Sequence, residues 1–385
     1  MTKTPFAALA LTLALTGRVQ PAVAEPVFQD APFDEAHWTF SGPDIKPVEA
    51  LDQKALRLQD GVATLKLADF TTGVISYDVL LSSDAPMYTG LRFHGADEEQ
   101  YEYFYLRAER TGMPDATQYT PVFHGDQGWQ IYAGPEFSSQ EGYKRGEWNH
   151  VEVRVYPDSA DVYINGRRSL RIPELKTGHA GGYLALSSSF GPRFPFNQVY
   201  YAHFRYSAEP LERPAGMPAA RRNEAAGLVR RWQVSPPMAQ ADALAWAGGK
   251  AQAAQPSWTD LPVEANGIAN LARLAGRTSA RDTVVARFEV DADRAGDRLM
   301  RFGYSDAVEI FVNGRLVFKG DAQFLSRDQQ FLGTVSFGDA VVAPLRKGAN
   351  QVLFVVKEHY GGWAAAAEFA DPAGLSGLGA APGGR

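Results

Sequence analysis

The chain has no cysteine among its 385 residues. Disulfides and thiol nucleophiles are therefore excluded, and the protein must hold together through its apolar cores. A surplus of one charge is also missing: 38 Lys and Arg against 44 Asp and Glu leave a formal net charge of −6. That balance favours neither nucleic acid nor an anionic membrane surface as a partner. Long hydrophobic runs are absent, because the apolar stretch at residues 6–15 is too short to span a bilayer. No HExxH, no Gly-x-Ser-x-Gly elbow and no phosphate-cradling glycine loop occurs. The seven histidines are scattered, without His-x-His spacing, so a metal site has no support and no cofactor is expected.

What is present begins with Lys3, the short apolar run, and Ala22-Val23-Ala24 before Glu25. This is the layout of a secretory signal peptide over residues 1–24, and it predicts a periplasmic or secreted protein. Aromatic residues reach 12%, with 16 Tyr and 7 Trp. Between residues 28 and 206, β-branched and aromatic runs alternate with Gly, Pro, Asn and Asp. Many short strands of this kind predict an all-β sandwich or jelly roll. In residues 150–156, Val151, Val153 and Val155 share one face, while Glu152, Arg154 and Tyr156 share the other.

A Pro/Ala-rich, charged stretch at 207–227 lacks a strand period and reads as a linker, with a helical turn near its end. Residues 228–280 are ambiguous, with Trp232, Trp246 and Trp258 as packing anchors. Strands resume at 282–293, 298–320 and 350–363, where VLFVV, apolar on both faces, predicts a central, covered strand. The Gly- and Ala-rich end, 372–385, predicts a disordered tail. The expected architecture is two β-sandwiches, 25–206 and 228–371, joined by the linker. VYINGR and IFVNGR each place Asn-Gly after an apolar run, a strong signal for a type I′ hairpin. Their flanks differ in length and motif, which argues for two different sandwiches rather than one duplicated unit.

The densest cluster of candidate binding residues lies in 101–134. Alternation puts Tyr101, Tyr103, Tyr105, Arg107 and Glu109 on one face, and Phe104, Leu106 and Ala108 on the core side. A row of phenols suits a saccharide, since the ring meets sugar C–H groups and the hydroxyl can bond a sugar hydroxyl. Arg107 could fork onto a uronate or sulfate. Gln118, Tyr119, His124 and Trp129 follow on loop-like sequence, where binding groups gather. The plainer alternative is cross-strand tyrosine packing beneath a covering loop. Glycoside hydrolysis would need two facing carboxylates. Residues 97–102, DEEQYE, supply acids, but the Asp-Glu-Glu cluster reads as a solvated turn. Asp291 and Asp293 begin a calcium-loop spacing that fails where Phe302 occupies the last position. In the second half, Asp306, residues 326–330, Glu358, His359 and Trp363 are weaker rim candidates. Asp306 is better suited to binding turn amides, and Trp363 to packing under a sheet end.

Trp148-Asn149-His150, a valine-alternating strand, a short turn and VYINGR together resemble the concanavalin A-like lectin/glucanase superfamily in its laminin G-like branch. The resemblance covers about 28–206. It implies a jelly roll whose face or rim binds glycans, sometimes with calcium. The E-x-D-x-x-E strand of that superfamily's glucanases is missing here. Residues 304–320, followed by LRKGANQVLFVV, resemble the galactose-binding-like sandwich attached to many secreted glycosidases, over about 228–371. The expectation is an exported protein that recognises a polysaccharide or glycan. A glycosidase or polysaccharide lyase, and an envelope protein-binding scaffold, are the alternatives.

Overall fold

Alternation in the strands pairs them into sheets, and the sheets bury one face each. The computed structural model describes residues 26–66, 70–81, 87–179, 181–190, 198–249 and 256–379. The fold is all-β, and every strand pairing among these residues is antiparallel. The expected signal peptide lies outside the described residues.

The first sandwich uses two sheets. One runs Arg167–Ile172, Ala160–Ile164, Trp148–Val155, Gly73–Leu81, Val199–Ser207, Gln53–Leu58, Ile45–Ala50. The other runs Asp126–Gln127, Thr117–Phe123, Tyr101–Leu106, Met87–Gly95, Tyr183–Phe190, Gly61–Leu65, Trp38–Ser41. Between them, Val151, Val153 and Val155 meet Phe93, Phe104 and Leu186, all with no exposed surface. Each such valine contributes roughly 1.5–3 kcal/mol by leaving water.

The second sandwich packs the sheet Thr259–Pro262, Arg231–Val234, Thr283–Ala292, Gly348–Lys357, Ala307–Val312, Arg315–Asp321 against a smaller one. That smaller sheet runs Ala269–Asn270, Ala364–Phe369, Gly296–Ser305, Asp339–Leu345. Trp232, Phe288, Phe354 and Trp363 fill the core between them. Gly348–Lys357 is central as expected, and both of its faces are covered. Val352, Phe354 and Val356 point to the core, while Leu353 and Val355 lie under the helix Gln240–Ala247. Trp246 and Trp258 pack together beside that helix, with ring centroids 5.3 Å apart.

Both Asn-Gly turns form as expected, with φ of 51° and 77° at Asn165 and Gly166, and 50° and 77° at Asn313 and Gly314. The fold adds a reason for the repetition. Asn165 Oδ1 accepts from the His150 amide, and Asn313 Oδ1 accepts from the Gln351 amide. The Asn165 and Asn313 amide nitrogens donate in return to the His150 and Gln351 carbonyls. Their side-chain amides then donate to Asn149 Oδ1 and Asn350 Oδ1. Those two buried asparagines hold the preceding loop: Asn149 bonds Lys144 N and O and Glu147 O, and Asn350 bonds Arg346 N and O and Gly348 O. Two sheets with different partners are fastened by one clasp.

Two expectations need correction. The stretch at 207–227 ends in a turn at 226–227 without the expected helical one, and it is held at several points. Arg213 pairs with Asp158 at 2.8 Å, Met217 is buried, and the Asn223 amide bonds the Ala265 carbonyl. The expected tail is ordered as far as residue 379, because Leu375–Ser376 adds a strand beside Asp291 and Ala292.

Candidate functional site

The strand Tyr101–Leu106 divides its side chains as alternation predicts. Phe104 and Leu106 enter the first core, and Tyr101, Tyr103 and Tyr105 stand together on the opposite side of the sheet with Tyr88, Tyr183 and Val122. The row is not open, however. Each of the three rings is only 3% exposed. Tyr103 and Tyr105 stack at 4.9 Å, and Tyr101 and Tyr88 meet the row edge-on. Burial pushes all three phenols up from their ordinary pKa, so they remain neutral donors. The premise of an accessible phenol ladder is corrected by this packing. Cross-ring contacts satisfy most of the apolar surface that a sugar would otherwise cover.

Arg107 is likewise engaged. Its guanidinium bonds Glu109 at 3.2 Å and Asp115 at 2.7 Å, and lies 5.5 Å above the Tyr88 ring. It is therefore not a vacant fork for an anion. Tyr105 donates to Gln118 Oε1 at 2.8 Å, and Arg107 Nη1 approaches the same oxygen at 3.5 Å, so these three act as one unit. Arg92, which sequence reasoning passed over, lies 4.7 Å above Tyr101 and has no carboxylate partner among the described residues.

The loop-like reading of Gln118 and Tyr119 fails, because both belong to the strand Thr117–Phe123. Tyr119 turns inward, 1% exposed, and donates to Glu102 Oε2 at 2.6 Å. Glu102 itself is fully buried in the core, where it also accepts from Thr177 N and Oγ1. Burial raises its pKa. It is thus removed from the tyrosine face, while Asp97 holds a turn by accepting from the Glu99 and Gln100 amides. The two acids that do stand on this face, Glu109 and Asp115, are both bonded to Arg107, and no group of three acidic or histidine side chains able to hold a metal is found among the described residues.

His124 and Trp129 lie on the segment that enters the second sandwich. His124 Nδ1 is 2.8 Å from the Ala272 carbonyl, and Asp126 pairs with Arg277 at 2.9 Å. Gln130, fully buried, bonds the Leu332 carbonyl, Ser305 Oγ, Gly361 O and Val335 N. Tyr132 donates to Glu264 at 2.7 Å. His124 is therefore a joint between sandwiches rather than a free binding group.

Trp129 sits at the rim of that joint. Its ring is 5.9 Å from Phe324 and 6.1 Å from Tyr360, both from the second sandwich. Phe324 is 46% and Tyr360 54% exposed. Tyr360 is also close enough to Tyr88 and Arg107 to feel both electrostatically. The Arg107 end of the tyrosine row thus adjoins an aromatic group shared by the two sandwiches. Asp306 sets its geometry: Oδ2 accepts from the His359 and Tyr360 amides at 2.7 and 2.9 Å, the turn-binding role expected of it. Trp363 packs inside with no exposed surface, also as expected. Phe324 and Tyr360 escaped sequence reasoning because each lies on a loop, more than 190 residues from Trp129.

No protein-family model matches the sequence, and no curated protein is similar to it. Solved structures do show a likeness. The carbohydrate-binding module CBM66 from Bacillus subtilis is 10% identical, with a TM-score of 0.35, covering 44% of this chain and 96% of that one. A β-glucanase of Bacillus licheniformis is 8% identical, at 0.35, covering 47% and 98%. A galectin of Caenorhabditis elegans is 13% identical, at 0.27, covering 44% and 97%. At such scores these likenesses decide neither ligand nor activity.

Proposed function

We propose that this is an exported carbohydrate-recognition protein that holds a polysaccharide or glycan at the cleft between its two sandwiches. The observation that carries the reading is the grouping of Trp129 with the half-exposed rings of Phe324 and Tyr360. Nothing in either core requires those rings to stand in water. Ring faces take sugar C–H groups, and the bonded unit of Tyr105, Gln118 and Arg107 offers a fixed polar edge beside them. The signal-like residues 1–24 support export. A glycosidase would need two facing carboxylates, yet Glu102 is in the core and Glu109 and Asp115 are bonded to Arg107.

The test is retention on a panel of immobilised polysaccharides, read together with product formation. Wild type is expected to bind at least one, and Tyr360→Ala or Phe324→Ala to weaken that binding about tenfold, at unchanged melting temperature. Retention that ignores both substitutions would overturn the site. New reducing ends or unsaturated products would replace recognition by catalysis. Capture of envelope proteins with no glycan retained would make the protein a scaffold.

A further inference from the structure

The opposite outer face of the first sandwich carries a second constellation. Trp148–Val155 and Gly73–Leu81 place His150 directly across from Asp78, and alternation sends both away from the core. Regular alternation along Val199–Ser207 would send His203 inward with Tyr201. A β-bulge intervenes: Ala202 pairs with Asp78 and Arg205 with Ser76, leaving two residues opposite Tyr77. His203 takes φ of 50° there, and its ring turns outward while Phe204 enters the core. A non-glycine residue held in the left-handed region is strained, and bulges that re-aim a side chain gather at functional sites.

The result is one carboxylate holding two imidazoles. Asp78 Oδ1 is 2.7 Å from His150 Nδ1, and Oδ2 is 2.9 Å from His203 Nδ1. Burial draws the Asp78 pKa upward, but bonds to the two rings outweigh it and hold the carboxyl low. The hydrogen bond to Asp78 in turn raises His150. With both Nδ1 atoms engaged, His203 Nε2 is the free end, while His150 Nε2 lies beside Ser76 Oγ. Both rings line a groove of about 980 Å³.

Ser76 Oγ lies 3.4 Å from His150 Nε2, so Ser76, His150 and Asp78 follow the order of a nucleophilic triad. Acyl transfer does not follow. Ser76 is 1% exposed, and its strand is paired on both sides, which leaves no free pair of backbone amides for an oxyanion. The arrangement is fitted to binding. The groove has an apolar wall of Pro32, Phe33 and Pro47. Around it stand three carboxylates, Asp30, Glu49 and Asp78, and two cations, Lys54 and Arg205. Such a mixed set of carboxylates, cations and imidazoles offers both donors and acceptors. It suits a ligand presenting many hydroxyls and an apolar ring face.

We propose that this groove is a second binding site, for a neutral saccharide, in which His203 Nε2 bonds a sugar hydroxyl while Asp78 fixes that ring and couples it to His150. The site stands apart from the aromatic cleft, on the other sheet, so the two would let one molecule bridge two glycan segments.

The experiment follows the imidazole nitrogens of His150 and His203 by NMR, at constant pH, during titration with cellohexaose, laminarihexaose, mannohexaose and xylohexaose. At least one sugar is expected to shift both rings saturably. His203→Asn, which tolerates the left-handed backbone, is expected to abolish the His150 shift with the fold intact, whereas Tyr360→Ala leaves it in place. Silent imidazoles with all four sugars at millimolar concentration would overturn the proposal. So would a response that survives His203→Asn, or one that disappears in Tyr360→Ala. Polysaccharide retention through Tyr360 is read separately, so the cleft can stand while the groove falls, or the reverse.

Discussion

The two sandwiches are fastened by the same clasp and furnished in opposite ways. In each, a buried asparagine grips its own loop and the Asn-Gly turn of a neighbouring hairpin. The first sandwich, however, places polar and aromatic groups on both outer faces: the tyrosine row on one sheet, the Asp78 imidazole pair on the other. The second keeps Trp232, Phe288, Phe354 and Trp363 inside and covers an outer face with its helix. Phe324 and Tyr360 reach toward the first sandwich and meet Trp129. Shared turn chemistry therefore reports how a hairpin is closed. It says nothing about what the surrounding faces do.

The sharpest way to break this comparison is to cut the clasp in each sandwich. Asn149→Ala and Asn350→Ala each orphan several buried backbone groups, and each is expected to cost roughly 2–4 kcal/mol. Denaturant unfolding of the full chain measures both, and a large cost in one with little in the other would show that the clasps are not equivalent. The next effect concerns the junction. Burial, reinforced by the Asp306 carboxyl, pushes Glu358 up to about 8 from an ordinary 4.5. The folded chain keeps that proton where the unfolded chain has lost it, so stability falls as pH rises between those values. Asp306 and Asp126, also raised by burial, act in the same direction. Melting at pH 5 is expected above melting at pH 8, and Glu358→Gln is expected to reduce the slope. An unchanged slope would remove Glu358 as its source. The smallest effect compares the turns themselves. Gly166 and Gly314 share φ of 77° and have open space where a Cβ would go. Alanine at either should cost about 1 kcal/mol from backbone strain alone, equally in the two sandwiches.

Strand positions, hairpins and the inward faces of the valine strands were legible because side-chain alternation and Asn-Gly chemistry act over a few residues. The tyrosine row was legible as a row, but its closure was not. Whether phenols face water or one another depends on Tyr88 and Tyr183, which arrive from neighbouring strands. Tyr119 was misplaced for a related reason: its buried bond to the Glu102 carboxylate lets a strand carry a polar side chain into a core where sequence alone predicts a loop.

Local chemistry by itself determined that this chain would be all-β, closed twice by the same turn, and free of disulfides. Only the tertiary structure decided which faces stay accessible. One inserted residue in a strand turned His203 outward to join His150 on Asp78, and a segment from the first sandwich carried Trp129 to Phe324 and Tyr360. The physical reason is range. Backbone preferences act between adjacent residues, whereas exposure is set by whatever distant segment packs on top.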